Sequence, residues 1–323
     1  MNIFSVQAIN AVLDKDEVIQ AVKQSFIEKE QGLATCPSPM QILFNNDENQ
    51  LVADCHVKAA QNKNSDFFVI KVASGFYENK HKGLPVNNGM SLLMSASTGA
   101  PVALFQDEGL LTSMRTAAAG AISTALAQHI NENSVLGVIG TGHQALLQAQ
   151  WVCHLTGIRK VVVQGRNYQS ALGFAEAFPL AHVECWAVHD NKELAVLSDA
   201  IVTTTPATAP LISLNDIKKP MHIVAMGADS PGKQELDPEL LEAAEVIVTD
   251  DHHQCLAHGE FGIACRAGLI NEQTDVALGK VLAKPSENKI SGTGISIVDL
   301  TGVGTQDLAI ASYVWRKLSR HHT

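Results

Sequence analysis

Positive charge is scarce in this chain. Its 323 residues carry 23 Lys and Arg against 33 Asp and Glu, a net charge of −10. That balance argues against a surface built for nucleic acid, where cations must line up along phosphates. Long apolar runs are missing too. Gly, Thr and Asn interrupt every stretch before the ~18 residues that a membrane-spanning helix needs, so no membrane segment is expected. The start, Met1-Asn2-Ile3-Phe4-Ser5, lacks the basic and apolar regions of a secretory leader, and a cytoplasmic location is expected. Six cysteines (Cys36, Cys55, Cys153, Cys185, Cys255, Cys265) form no CxxC pair. In a reducing compartment they read as small core residues. The run Asp250-Asp251-His252-His253-Gln254-Cys255-Leu256-Ala257-His258 has metal-ligand residue types without ligand spacing. It follows the apolar Val246-Ile247-Val248, so the aspartates are expected to cap a helix and no metal is expected.

What is present is globular: 46% hydrophobic and 17% charged residues, enough for one large or two ordinary domains, without repeats or low-complexity tracts. A dinucleotide fingerprint begins mid-chain at Ser134-Val135-Leu136-Gly137-Val138-Ile139-Gly140-Thr141-Gly142-His143-Gln144-Ala145. The apolar run reads as a buried parallel strand. Gly140-Thr141-Gly142 makes a tight turn that lets backbone N–H groups reach a pyrophosphate, and Ala145 keeps helix and strand close. A helix-compatible segment from Leu146 to His154 and a strand at Val161-Val162-Val163 complete the unit. Strands are predicted at 135–139, 160–164, 200–203, 222–226 and 246–249, the pattern of a doubly wound parallel sheet.

More than 130 residues precede the fingerprint, so a separate N-terminal module is predicted. Asp16 to Gly32 has the apolar spacing of a helix (Val18, Ile19, Val22, Phe26, Ile27). Met40 to Phe44, Leu51 to Val57 and Phe67 to Ser74 read as strands, and Met90 to Ala96 with Ala100 to Gln106 as a hairpin. This is an α+β module of consecutive antiparallel strands. An Ala-rich helix is predicted from Leu110 to Ile130. The final helix, Asp307 to Leu318, follows a Gly-rich loop, Val298 to Asp307, and is free to return to the first module.

Four charged residues stand out. Lys71 lies inside the apolar Phe68-Val69-Ile70-Lys71-Val72-Ala73, where a buried ammonium needs a partner or a function, unless that face is open to water. Arg115 is the one charge entering the Ala-rich helix. At a helix start it calls for an anion, such as a carboxylate or phosphate held bidentately. Asp229 follows a predicted strand, where open α/β sheets bind ligands, or else it caps a turn. Arg166, with Asn167, ends the second Rossmann strand, where an acid would bind the ribose 2′-OH. An arginine there favours a 2′-phosphate, so NADP(H) is expected in preference to NAD(H), which the fold also admits.

Three segments carry a resemblance: Leu111-Thr112-Ser113-Met114-Arg115-Thr116-Ala117-Ala118-Ala119, Gly227-Ala228-Asp229-Ser230-Pro231-Gly232-Lys233-Gln234-Glu235-Leu236, and Thr301-Gly302-Val303-Gly304-Thr305-Gln306-Asp307. Over nearly its whole length the chain resembles the ornithine cyclodeaminase/mu-crystallin family, and within it the ketimine reductases. The resemblance implies an α/β protein with a Rossmann NAD(P)-binding domain at 118–298. A substrate-binding and dimerisation domain would take 1–117 and 299–323, forming a homodimer. It implies Lys71 and Asp229 as catalytic residues, with Arg115, Gln41 and Thr301 at the substrate. The cofactor would meet Arg115, Thr116, Gly140, Thr141, Gly142, His143, Gln144, Arg166, Asn167, Thr204, Thr205, Met226 and Gly227.

One departure bears on the reaction. Where the family commonly has Pro-Pro-Arg, this chain has Cys36-Pro37-Ser38-Pro39-Met40-Gln41. A neutral Gln41 grips a carboxylate less firmly than guanidinium, which weakens the case for ornithine cyclodeamination. The expected reaction is NADPH-dependent reduction of a cyclic ketimine, Δ1-pyrroline-2-carboxylate or Δ1-piperideine-2-carboxylate, to L-proline or L-pipecolate. The alternatives are cyclodeamination of ornithine, reductive amination of a 2-oxo acid, and binding of NADPH and a small ligand without turnover.

Overall fold

Buried side chains recur at a spacing of two in the strands of residues 67–106 (Val69 and Lys71, Ser91 and Leu93, Ala103 and Phe105), whereas β-branched residues dominate 135–139 and 160–164; these two textures build two different sheets. The computed structural model describes residues 1–48, 50–217, 219–285 and 290–319. The chain divides into two units, Met1–Arg115 with Val303–Thr323, and Thr116–Gly302.

The first unit holds β1 (Asn2–Ser5), β2 (Ala34–Thr35), β3 (Met40–Asn45), β4 (Leu51–Asn62), β5 (Phe67–Phe76), β6 (Asn87–Ser95) and β7 (Pro101–Gln106). They form one sheet in the order β1-β7-β6-β5-β4-β2, with β3 also paired to β4. The expectation of a purely antiparallel module needs correction: β1 pairs parallel with β7, setting Phe4 opposite Phe105. Four residues are too short to show a period. The helix Lys15–Glu30 starts at Asp14, whose side chain accepts from the Glu17 N–H at 3.0 Å, and buries Val18, Ile19, Val22 and Phe26.

The last helix, Gly304–Ser319, packs on Lys15–Glu30 and on β4, β5 and β6. Trp315 meets Phe4 and Phe67 edge-on at 6.2 Å, and the Tyr313 hydroxyl donates to the Val12 carbonyl at 2.7 Å. One sheet face is thereby covered, with Val69, Leu93, Ala103 and Phe105 fully buried on it. The opposite face exposes Ile3, Met40, Ile42, Phe44, Phe76 and Met90.

The second unit holds β8 (Val135–Ile139), β9 (Lys160–Gln164), β10 (Glu184–Ala187), β11 (Ala200–Thr203), β12 (Thr208–Ile212), β13 (Met221–Ala225), β14 (Gln234–Leu236), β15 (Ala244–Thr249), β16 (Val276–Ala277) and β17 (Ile295–Asp299). Eight of them make a parallel sheet, β10-β9-β8-β11-β13-β17-β15-β16. Ile139, Val162, Ile201, Ile223, Ile247 and Ile297 form its core. Strand order reverses between β8 and β11, the topological switch point where such sheets bind ligands. This is the expected doubly wound α/β fold.

Two local expectations are corrected. The segment read as a loop from Val298 begins inside β17, which lies between β13 and β15. The Ala-rich helix is Leu110–Thr124 rather than Leu110 to Ile130. The Thr124 hydroxyl turns back on the Gly120 carbonyl at 2.9 Å, and the Gln128 N–H bonds Ile290 at 3.2 Å, so local tertiary pairing overrides helix propensity. Among the described residues, no helix is long and apolar enough to cross a membrane.

Candidate active site

The covered face of the first unit's sheet is polar at its centre. Antiparallel register sets Lys58 of β4 opposite Lys71 of β5, and Lys71 opposite Ser91 of β6. All three are buried. Lys71 Nζ lies 3.1 Å from Asp307 Oδ1, and Arg115 Nε lies 3.3 Å from the same oxygen. Arg115 Nη1 also donates to Gln306 Oε1 at 2.9 Å. Asp107, just past β7, accepts from the Leu111 N–H at 2.9 Å and so caps the helix that carries Arg115.

Two cations therefore contact one carboxylate, and the charge of Lys58 acts on it from nearby. Burial drives the Lys71 pKa down to about 7; Asp307 opposes that shift, while Arg115 and Lys58 add to it. Burial alone would raise the Asp307 pKa, but Lys71, Arg115 and Lys58 together hold it below the ordinary value. Burial raises the Asp107 pKa, moving that group toward neutrality. The result is a desolvated centre of coupled charges with a lysine able to give or take a proton near neutrality. Gln41, on β3, shares this sheet face and approaches His56 Nδ1 at 3.4 Å.

In the second unit the fingerprint folds as expected. Gly140 has φ +121°, and a Cβ there would lie 2.5 Å from Thr204 Oγ1, so only glycine makes this turn. Gly142 precedes the helix His143–Thr156 without any side-chain cap, and a Cβ on it would meet nothing within 4 Å. An uncapped helix N-terminus beside open space suits a pyrophosphate, and these residues fit a dinucleotide. Ala145 is fully buried. Arg166 is exposed just past β9, while the Asn167 side chain caps the next helix through Ser170 N at 2.9 Å.

Thr204 donates to the Ile139 carbonyl at 3.2 Å. Glu235 binds the neighbouring loops. It accepts from Thr203 Oγ1 at 2.6 Å, Thr205 N at 2.6 Å, Thr205 Oγ1 at 2.8 Å and Gly227 N at 2.7 Å. Met226, next to Gly227 in sequence, is buried, and the Thr116 carbonyl accepts from Gln148 at 2.9 Å.

Two further expected site residues are engaged within this unit. Asp229 pairs with Lys233 at 2.7 Å. Thr301 is buried, its hydroxyl donating to Asp250 Oδ1 at 2.9 Å and its N–H to Oδ2 at 3.0 Å. That corrects the expectation for the aspartate pair: Asp251 caps the helix His252–His258, whereas Asp250 holds the 301–302 turn. Among the described residues, no group of three or more His, Cys, Asp or Glu could hold a metal.

Sequence reasoning missed Asp307, Gln306, Lys58 and Glu235. Asp307 reads as an ordinary acid in a helix first turn; its place inside a quoted motif was the available signal.

A dinucleotide turn at a sheet switch point, and a buried cationic centre with a neutral-range lysine, define an NAD(P)-dependent oxidoreductase. Residues 2–322 match the ornithine cyclodeaminase/mu-crystallin family, and the chain belongs to it. An archaeal alanine dehydrogenase dimer with bound NAD superposes with a TM-score of 0.89 at 29% identity, over 100% of this chain and 97% of that one. The Thermococcus litoralis Δ1-pyrroline-2-carboxylate reductase, in complex with NADH and L-proline, gives 0.90 at 27% identity, over 100% and 99%. The iminosuccinate reductase of Paracoccus denitrificans, in complex with NAD+, gives 0.85 at 28%, over 100% and 97%.

Proposed function

We propose that the protein reduces the C=N bond of a small 2-imino carboxylate to the L-amino acid. The cyclic ketimines Δ1-pyrroline-2-carboxylate and Δ1-piperideine-2-carboxylate, whose rings need few anchors, are the first candidates. The observation that carries this reading is the buried cationic pair: Lys71 and Arg115 both bear on the one Asp307 oxygen, at 3.1 and 3.3 Å. A substrate carboxylate would restore the balance, held by Arg115, with Gln41 and Thr301 as further pocket residues. Relatives named for pyrroline-2-carboxylate and iminosuccinate reduction support the reaction class.

When bound, NAD(P)H supplies the hydride that an iminium carbon accepts. Gly140, Thr141, Gly142, His143 and Gln144 would hold its pyrophosphate, and Arg115, Thr116, Thr204, Thr205, Met226 and Gly227 would border it. Arg166 and Asn167 would meet the adenosine ribose, and Arg166 supports a preference for NADPH. Lys71, with a pKa of about 7, keeps the imine nitrogen protonated, since an iminium is the better hydride acceptor. Asp229 serves as the second proton-handling group and stabilises the cationic nitrogen.

The test is oxidation of NADPH and NADH with Δ1-pyrroline-2-carboxylate, its six-membered homologue, and pyruvate with ammonium. Turnover with an imine, faster with NADPH, is the expected result. Ammonia released from ornithine without added cofactor, and no imine reduction, would replace this reading with cyclodeamination. No turnover with any of them would leave a binding role.

A further inference from the structure

A cavity of about 440 Å³ lies in the first unit, away from Lys71. Its walls are the helix Lys15–Glu30, the helix Gly304–Ser319 and the turn from β4 to β5. Ala21, Ser25, Ala309 and Ser312 meet there, and these small side chains leave open a space between the helices that larger ones would fill. Its volume falls within the roughly 300–1,000 Å³ of small-molecule sites. Thr305, Ala309, Ser312 and Arg316 line it at helical spacing, whereas Asp307 projects from the other side of the same helix to Lys71. Phe67, on its wall, is four residues along β5 from Lys71, about 13 Å. The cavity is therefore separate from the Lys71 centre.

Its wall carries hydrogen-bonding groups that the fold does not use. Ser25, which is buried, returns its hydroxyl to the Val22 carbonyl at 2.7 Å, an ordinary arrangement for a serine inside a helix. Thr305 and Ser312, 3% and 7% exposed, do not: neither hydroxyl has a hydrogen-bond partner. A buried hydroxyl left without a partner is costly, and two of them on one cavity wall call for a shared polar occupant.

The charges on the wall say what kind. Glu28 accepts from two neutral amides, Oε1 from Gln24 Nε2 at 3.0 Å and Oε2 from Asn62 Nδ2 at 2.6 Å. These bonds orient the carboxylate without cancelling its charge. Asp66 adds a second carboxylate, and Arg316 is the one cation among the lining residues. An occupant that matches them brings a cationic group for Glu28 and Asp66 and an anionic group for Arg316.

We infer that this cavity is a second ligand site, one that binds a free L-amino acid with a neutral polar side chain. The ammonium lies at Glu28 and Asp66, and the carboxylate at Arg316 and the hydroxyls of Ser312 and Thr305. A neutral polyol would satisfy the hydroxyls and leave both carboxylates unanswered, and a simple anion would face their repulsion. The assignment is independent of the reaction at Lys71.

Equilibrium dialysis of radiolabelled L-glutamine and L-serine tests it, with glycerol as the neutral control, on wild type, Glu28→Gln and Ser312→Leu. Wild type is expected to bind at least one of the two amino acids saturably and more tightly than glycerol. Ser312→Leu puts a larger side chain into the cavity and should lose one bound equivalent per chain. Glu28→Gln keeps the shape and removes the charge, and should weaken that equivalent about tenfold, the effect of one charged hydrogen bond. Glu28→Gln alone decides if circular dichroism shows Ser312→Leu unfolded. Amino acid held at the Lys71 centre would persist in both variants and is told apart in this way. Absence of saturable binding, glycerol bound as tightly, or a folded variant whose stoichiometry and affinity stay within threefold of wild type overturns the inference.

Discussion

Lys71 stands in a strand because its long apolar stem suits the sheet, and its charge survives there because Asp307 lies 3.1 Å away. With a pKa near 7, it loses its proton across the physiological range. If it protonates the imine, kcat/KM for reduction should fall as pH rises through about 7. The reverse oxidation, which needs the neutral amine, should rise through the same window. Lys71→Met should abolish that limb in both directions and cost about 10²- to 10⁴-fold in rate; an unchanged pH profile would remove Lys71 from the proton path. Asp307 is its counterweight. Asp307→Asn removes the carboxylate that Lys71 and Arg115 share, and breaking such a buried pair costs about 3–5 kcal/mol, which urea unfolding would show. Lys71 could be found from the sequence because it interrupts an apolar run. Lys58 could not, because Asp54-Cys55-His56-Val57-Lys58 alternates like a strand with its polar side in water, whereas here Asp54 and Lys58 face inward and are buried.

The elements of the second unit are tied together at the carboxyl ends of its strands by buried acids. Glu235 joins the end of β11, through Thr203 and Thr205, to Gly227 after β13. A Cβ on Gly227 would lie 2.2 Å from the Thr205 carbonyl oxygen and 2.5 Å from Glu235 Oε2. Backbone cannot yield as a side-chain tip does, so Gly227→Ala should destabilise the unit by about 1–3 kcal/mol and weaken dinucleotide binding, measurable by nucleotide fluorescence. Asp299 and Glu260 lie nearby in the same unit: Phe261 N donates to Asp299 Oδ2 at 3.0 Å, and Glu235 N donates to Glu260 Oε1 at 2.6 Å.

Burial, reinforced by neighbouring acids, raises their pKa values to about 8 and about 9. Folded, they keep protons that the unfolded chain loses near pH 4. They therefore stabilise the fold fully at low pH, and this contribution is lost as pH rises toward 8 and 9. Lys71, with its depressed pKa, acts in the opposite sense above pH 7, so variants must be compared at one pH. The urea midpoint of Asp299→Asn/Glu260→Gln should fall less than that of wild type between about pH 6 and pH 8.5; parallel curves would refute the assignment. The strand–turn–helix at Val135–Thr156 could be read directly because each local preference agrees with the fold. β17 and β1 could not: each is short, neither opens a recognisable strand–turn–helix, and their pairing partners are distant in sequence.

At the scale of the whole molecule, the open face of the first unit's sheet sets the strongest expectation. Ile3, Met40, Ile42, Phe44, Phe76 and Met90 are each at least 40% exposed on it, with the Phe44 and Phe76 rings 5.3 Å apart. A monomer rarely leaves so many large apolar side chains on one contiguous face, and each gains about 1.5–3 kcal/mol from complete burial. A second copy of the same face, related by a two-fold axis, would cover it by sheet-on-sheet packing. The alanine dehydrogenase that superposes on this chain is a dimer, which supports the reading. Light scattering should therefore give about twice the 34.5 kDa chain mass. The double variant Phe44→Glu/Met90→Lys should shift that mass toward one chain while circular dichroism stays folded, because a charge on each side of the face must be desolvated for the copies to meet. A wild-type monomer at micromolar concentration, or a double variant that still dimerises, would mean that something other than a second copy covers this face.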